Sequence, residues 1–196
     1  MWPLKKVIEN TNWETSVDNV FSQDQLDTID KFVKQYTYKI QVAKIVTNGT
    51  QDNSYRRTDL LWLDDLKELE SVYQTVEQVI NSINDTHYNW SLDYLEMMQF
   101  GMYKSKDNGF YDVHTDSKLK TNNGKVRKLS FSILANDPSE FDGGDFLIHD
   151  QATPRKIPFA KNRAVFFPSF IPHSVTPVTR GIRKSIVGWV VGPNFV

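Results

Sequence analysis

Apolar positions in the first part of the chain recur at helical spacing. Leu26, Ile29, Phe32 and Val33 fall on one face of a segment that begins after Phe21-Ser22. Ser22 with Gln25 three residues on forms a capping box, and Phe21 is placed to staple against Leu26. These signals predict an amphipathic helix over 23–35. A second stripe, Leu66, Leu69, Val72, Tyr73, Val76, Val79, Ile80 and Ile83, predicts another helix from near Asp64 to the polar break NDTHYN at 84–89. Each helix has one face to bury. Residues 1–20 show no period and read as an extended lead-in with room for one short strand.

Between the helices, YTYKIQVAKIVTNG (36–49) reads as a strand with a turn at Asn48-Gly49, and RRTDLLWL (56–63) as another short strand. From Trp90 the texture changes to short β-rich runs: LDYLEMMQFGMY, KLSFSILAND, GDFLIHD, RAVFFPSF, HSVTPV and RKSIVGWVV. Clusters of Asn, Asp, Gly, Pro and Ser separate them. Helices followed by many short strands predict an α+β protein whose second half is a β-sandwich or jelly-roll barrel, with the helices supporting one sheet. No repeat, heptad run or low-complexity tract divides the 196 residues. One domain is expected over 1–196, with helical support mainly in 21–85 and the jelly-roll core mainly in 90–196.

Composition narrows the chemistry. The chain has no cysteine, which excludes disulfides, thiolate metal sites and a thiol nucleophile. Any metal must be held by His, Asp and Glu. Lys plus Arg (23) nearly cancels Asp plus Glu (24), leaving a net charge of −1 and no global field for nucleic acid or anionic lipid. The start MWPLKKVIENTNW lacks the apolar run of a secretory signal, and no run approaches the ~20 apolar residues of a membrane span. A soluble, cytoplasmic protein without a membrane partner is expected.

Four histidines are available. His87, in the polar break, and His149, at the end of GGDFLIHD, read as surface or strand-end residues. His114 lies two residues before Asp116, and on an extended strand such positions share a face. That pair is a two-ligand clamp, although a solvated strand shows the same pattern. His173 adds to it. If Val178 and Ile182 flank a turn at Thr179-Arg180-Gly181, the returning strand places 177 opposite 183, 175 opposite 185 and 173 opposite 187. His173 and Arg183 then share a face, roughly 13 Å apart along the hairpin. A metal held by His173 and a guanidinium at Arg183 leave room for a dicarboxylate of 2-oxoglutarate's length, chelating the metal at one end and pairing with Arg183 at the other. Two histidines and one carboxylate leave three positions open on an octahedral ion, the set used by non-haem Fe(II) oxygenases. Two serve the chelating oxo-acid and one serves O2. A surface salt bridge on an edge strand is the plain alternative for Arg183.

These residues belong to an ordered series: VFSQDQ, RRTDLLWL, QFGMYKSKDNGFYDVHTD, KLSFSILANDPSEFDGGDFLI and FFPSFIPHSVTPVTRGIRKSIVGWV. From Phe21 onward the series resembles the Fe(II)/2-oxoglutarate-dependent dioxygenases, and within them the prolyl 4-hydroxylase-like group. The resemblance implies a double-stranded β-helix (jelly roll) with helices on one side. It implies Fe(II) bound by His114, Asp116 and His173, and the far carboxylate of 2-oxoglutarate bound by Arg183, ten positions after the distal histidine. Tyr103 takes the place of a tyrosine that hydrogen-bonds that carboxylate, with core packing as its alternative. Tyr111 matches an aromatic near the metal, or packs. Trp189 floors the co-substrate pocket or belongs to the core, and Ser185 assists Arg183. Gly143-Gly144 match paired glycines at a hairpin turn, where they serve the backbone.

The implied reaction couples conversion of 2-oxoglutarate to succinate and CO2 with hydroxylation of a C–H bond, with ascorbate as accessory reductant. The resemblance favours proline in a peptide or protein as substrate. A small molecule such as a free amino acid is the alternative. Nucleic acid is disfavoured by the near-zero charge and by the short spacing from Arg180 to Arg183. A non-catalytic jelly-roll binding module would be expected to lack a ligand or the anchor, yet all four residues are present. The loops NGTQDNSYRR (48–57), with Arg56 and Arg57, and SKLKTNNGKVRK (117–128), with Lys118, Lys120, Lys125, Arg127 and Lys128, read as a border or lid of the entrance, or as solvated connections.

Overall fold

The computed structural model describes residues 13–43, 46–47, 50–51, 54–64, 67–117 and 124–195. The capping box forms as its residues dictate. The Ser22 N–H donates to Gln25 Oε1 at 2.9 Å and the Gln25 N–H to Ser22 Oγ at 3.3 Å, opening helix α1 at Gln23–Gln35. Helix α2, Glu70–Ile83, starts later than the expected Asp64. Asp64 pairs with Lys39 at 3.4 Å, and the N-cap Leu69 offers no side-chain acceptor. Leu66 lies outside the described residues. One π-helical turn, Asn84–Tyr88, follows α2 and ends at Asn89 with φ 52°.

Sixteen strands occur among the described residues. They are β1 (Thr15–Val17), β2 (Gln41–Val42), β3 (Val46–Thr47), β4 (Thr50–Gln51), β5 (Arg56–Arg57), β6 (Asp59–Trp62), β7 (Tyr94–Leu95) and β8 (Gln99–Lys104). The second half supplies β9 (Phe110–His114), β10 (Lys125–Leu134), β11 (Phe141–Gly143), β12 (Phe146–Ile148), β13 (Arg155–Lys156), β14 (Ala164–Pro168), β15 (His173–Val175) and β16 (Val178–Pro193). The expected turn at Asn48-Gly49 lies outside the described residues, flanked by the antiparallel pair β3 and β4.

A larger antiparallel sheet runs β1-β14-β10-β16-β8-β6-β2, with β7 and β11 also bonded to β16; a smaller one runs β13-β12-β15-β9-β5. Alternation along the strands builds two cores. Phe100, Phe131, Ile133, Phe166, Ile186 and Val190 of the larger sheet pack with Phe32 of α1 and Val72, Val76 and Ile80 of α2. Val165, Phe167 and Val178 instead join Phe146, Ile148 and Val175 of the smaller sheet. This is the expected double-stranded β-helix, with its helices on one sheet.

Two expected hairpins do not form. β15 pairs with β12 and β9, whereas β16 pairs with β8 and β10, so His173–Val175 and Arg183–Val187 lie in different sheets. The chain changes sheet at Thr176-Pro177, where the Thr176 N–H donates to the Asp145 carbonyl at 2.9 Å. β16 then runs straight through Thr179-Arg180-Gly181. Gly181 has φ 69°, and a Cβ there would meet the Glu140 carbonyl oxygen at 2.0 Å, so this glycine serves the close approach of β11 rather than a turn. Likewise β10 and β12 belong to different sheets. Gly143 and Gly144, both at positive φ, carry the chain between sheets, and a Cβ on Gly144 would press on Arg183 Cδ at 2.8 Å.

A Cβ on Gly188 would lie 2.4 Å from Cζ of buried Phe131, under the helices. We expect Gly188→Ala to lower unfolding stability by about 1–3 kcal/mol through overpacking. An unchanged denaturant midpoint would contradict this packing.

Candidate active site

Antiparallel pairing of β9 and β15 sets His114 opposite His173, with ring centroids 4.2 Å apart. Asp116 is not on the same strand face as His114, because β9 ends at His114. It occupies the bend beyond, where its N–H donates to the Ser169 carbonyl at 2.9 Å. The bend returns the carboxylate to the histidines: Oδ1 is 3.7 Å from His114 Nε2 and Oδ2 is 3.5 Å from His173 Nε2. The three ligand atoms lie within 4.8 Å of one another. Nδ1 of His114 donates to the Asp112 carbonyl at 2.8 Å and Nδ1 of His173 to the Ile171 carbonyl at 3.0 Å. A carbonyl only accepts, so each Nδ1 carries a proton, and Nε2 is the nitrogen that each ring turns toward Asp116. Two imidazole nitrogens and one carboxylate form a donor set that fits Fe(II).

The electrostatics keep these donors ready. Burial, then the adjacent His173, pushes the His114 imidazole down to about 4. Burial alone would raise the Asp116 carboxyl, but the two imidazoles and hydrogen bonds from Ser130 and Trp189 hold it below its ordinary value. Ser130 is itself bonded to Ser169 through their hydroxyls at 2.8 Å.

The three residues open into a cavity of about 240 Å³ between the sheets. From β16, Arg183, Ser185, Val187 and Trp189 line it, the odd-numbered face that the sequence suggested. Arg183 is 2% exposed and its Nη2 has no partner. Burial presses its guanidinium below its ordinary value, partly offset by Tyr103 and Asp145. Tyr103 lies opposite Arg183 in the ladder, its ring 5.4 Å from the guanidinium carbon. His173 and Arg183 therefore do share a space, across the sandwich rather than along a hairpin. Tyr111 stacks on His114 with centroids 3.5 Å apart and planes 14° apart. Trp189 does more than floor the pocket, since it also hydrogen-bonds Asp116.

Other residues depart from expectation. Lys125, Arg127 and Lys128 belong to β10, not to a loop, and Lys118 and Lys120 lie outside the described residues, as does much of 48–57. Arg127 lines the cavity, bonded to Glu96 at 2.9 and 2.5 Å and lying 3.9 Å over Trp189. Sequence reasoning missed Gln99, 7% exposed with Oε1 unpartnered, although it alternates with Tyr103 onto the cavity face. It also missed Phe146 and Phe167, whose rings pack 5.6 and 4.6 Å from His173. His87 is exposed and bonded to Thr15, and His149 bonds Ser174 at 2.8 Å; neither lines the cavity.

The model of the 2OG-Fe(II) oxygenase superfamily matches residues 98–191. A PKHD-type hydroxylase of Maricaulis maris is 35% identical over 85 residues, 43% of this chain and 38% of that protein. The PKHD-type hydroxylase YbiX of Escherichia coli O1:K1 is 26% identical over 166 residues, 83% of this chain and 72% of that protein. Another YbiX sequence is matched over 52% of its length, so the chain spans well under two thirds of the first of these relatives. A Pseudomonas putida prolyl-4-hydroxylase structure superposes with TM-score 0.72 at 18% identity, over 94% of this chain and 95% of that one. A Trichoplax adhaerens prolyl hydroxylase in complex with a hypoxia inducible factor peptide fragment gives 0.73 at 18% identity, over 92% and 84%. These structures share the fold.

In the metal-free protein, His114 takes up its proton near pH 6.5 when unfolded but only near 4 when folded. The unfolded chain binds more protons in that window, so stability falls as pH drops through it. The thermal midpoint of metal-free protein should decrease from pH 7 to pH 5, and less steeply in His114→Gln. Equal slopes would contradict the burial assigned to this imidazole.

Proposed function

We propose that this chain, whose residues 98–191 match the model of the 2OG-Fe(II) oxygenase superfamily, is an Fe(II)- and 2-oxoglutarate-dependent hydroxylase whose iron is held by His114, Asp116 and His173. One observation carries the reading: a fully buried guanidinium with an unpartnered nitrogen shares a cavity with a His-Asp-His cluster. A desolvated, incompletely paired cation is costly, and a carboxylate entering beside Arg183 relieves it through charge-assisted hydrogen bonds. Tyr103 and Ser185 flank that end of the cavity. When bound, the iron supplies oxidation of a C–H bond by O2, coupled to conversion of 2-oxoglutarate to succinate and CO2.

The chain's own residues do the rest. The Nδ1 hydrogen bonds fix ring orientation, and the surrounding hydrogen bonds and imidazoles favour the ionised form of Asp116. Phe146, Phe167, Val175 and Val187 supply the apolar part of the walls and limit water beside the reacting groups. We read the substrate as proline in a peptide or protein. The support is a fold shared with prolyl hydroxylases, one of them solved with a peptide fragment. A free amino acid is the second reading, favoured by the small cavity. Ascorbate serves as accessory reductant in either. In this reading the chain acts as one catalytic domain, and the presence of all four site residues argues against a non-catalytic binding module.

Purified protein with Fe(II) should consume 2-oxoglutarate slowly without added substrate, and His114→Ala or Asp116→Ala should abolish succinate formation. Undiminished succinate in both variants would sink the assignment. Arg183→Ala should raise the KM for 2-oxoglutarate at least about 30-fold, roughly 2 kcal/mol for truncating one partner of a buried charge pair, with metal affinity retained. An unchanged KM would remove Arg183 from the co-substrate site.

A further inference from the structure

Three guanidinium groups reach the cavity: Arg56, Arg127 and Arg183. Arg127 is neutralised by Glu96. Arg183 is taken by the co-substrate in the reading above, on which this inference rests. Arg56 remains. On β5 it pairs with Tyr111 of β9, and its guanidinium carbon lies 4.5 Å over the Tyr111 ring. That ring stacks on His114, so the cation is one aromatic ring removed from a metal ligand. Arg56 Nε is buried without a hydrogen-bond partner, and among the described residues no carboxylate forms an ion pair with it.

Charge balance makes this cation the surplus one. Fe(II) with Asp116 carries one positive charge, and 2-oxoglutarate with Arg183 carries one negative charge, so the loaded centre is neutral without Arg56. Among the described residues, Asp116 is the only acidic one lining the cavity. A partly desolvated guanidinium beside a neutral centre favours an anion, and its Nε–H and neighbouring Nη–H form the fork that takes a carboxylate side-on.

We propose that Arg56 docks a carboxylate of the primary substrate beside the carbon that is hydroxylated, so that the enzyme acts on a carboxylate-bearing substrate. Two sources present that chemistry: the α-carboxylate of a free amino acid, or an acidic side chain next to the target residue in a peptide. Arg56 then sets specificity, while Arg183 serves the co-substrate on the opposite sheet.

The test is equilibrium binding to protein loaded with Mn(II) and 2-oxoglutarate under anaerobic conditions. The probes are L-proline against L-prolinamide, and acetyl-Asp-Pro-amide against acetyl-Asn-Pro-amide. Wild-type protein should bind the carboxylate member of one pair at least tenfold more tightly, and the pair that responds identifies the source. Arg56→Gln keeps a polar side chain over Tyr111 and should shrink the preference to within threefold; Arg56→Lys should retain part of it. No preference in wild-type protein, absence of binding included, overturns the inference, as does a preference that survives Arg56→Gln. The same titrations report 2-oxoglutarate binding to the Mn(II)-loaded protein. Failure there overturns the hydroxylase reading itself, whereas 2-oxoglutarate binding without a carboxylate preference removes only the role of Arg56.

Discussion

Strand β16 hydrogen-bonds to β8 on one side and β10 on the other, so its side chains must serve two environments in strict alternation. Ile186, Gly188 and Val190 face the helices, while Arg183, Ser185, Val187 and Trp189 face the cavity. A shift of one residue against either neighbour would send the guanidinium into the helical core and the isoleucine into the cavity. Helix packing therefore holds Arg183 in place: the apolar stripe on α1 and α2 fixes which face of β16 is buried, and the opposite face becomes the site wall.

The metal end depends on a second constraint. His114 and His173 come from neighbouring strands of the smaller sheet, and their pairing brings two candidate ligands together with little help from loops. The third candidate ligand is held by Ser169, whose carbonyl receives the Asp116 N–H and whose hydroxyl meets Ser130, and by the hydrogen bonds of Ser130 and Trp189 to its carboxylate. Ser169 is fully buried just past β14, so the larger sheet positions a ligand that belongs by sequence to the smaller one.

The sequence made the local features legible. The capping box at Ser22, the apolar stripes and the odd-numbered face of β16 each follow from short-range periodicity, and all appear in the structure. The residues that converge on the cavity were legible too, because few side chains in a cysteine-free chain can hold a metal. What could not be read was which strands pair. Thr179-Arg180-Gly181 has turn-forming composition, but β11 lies against it and Gly181 accommodates that approach. Arg127 looked like a loop cation, yet Glu96 and Trp189 secure it within β10. In each case a partner distant in sequence overrides a local preference.

The placement of His173 and Arg183 on opposite sheets has a mechanical consequence. Facing sheets stand about 10 Å apart, so on the proposed reading a dicarboxylate held at both ends would act as a cross-brace in the sandwich. Its two anchorages would lie on separate hydrogen-bonded ladders, so loading the cavity would add a tie between the layers to those that Asp116 already makes with Ser169 and Trp189.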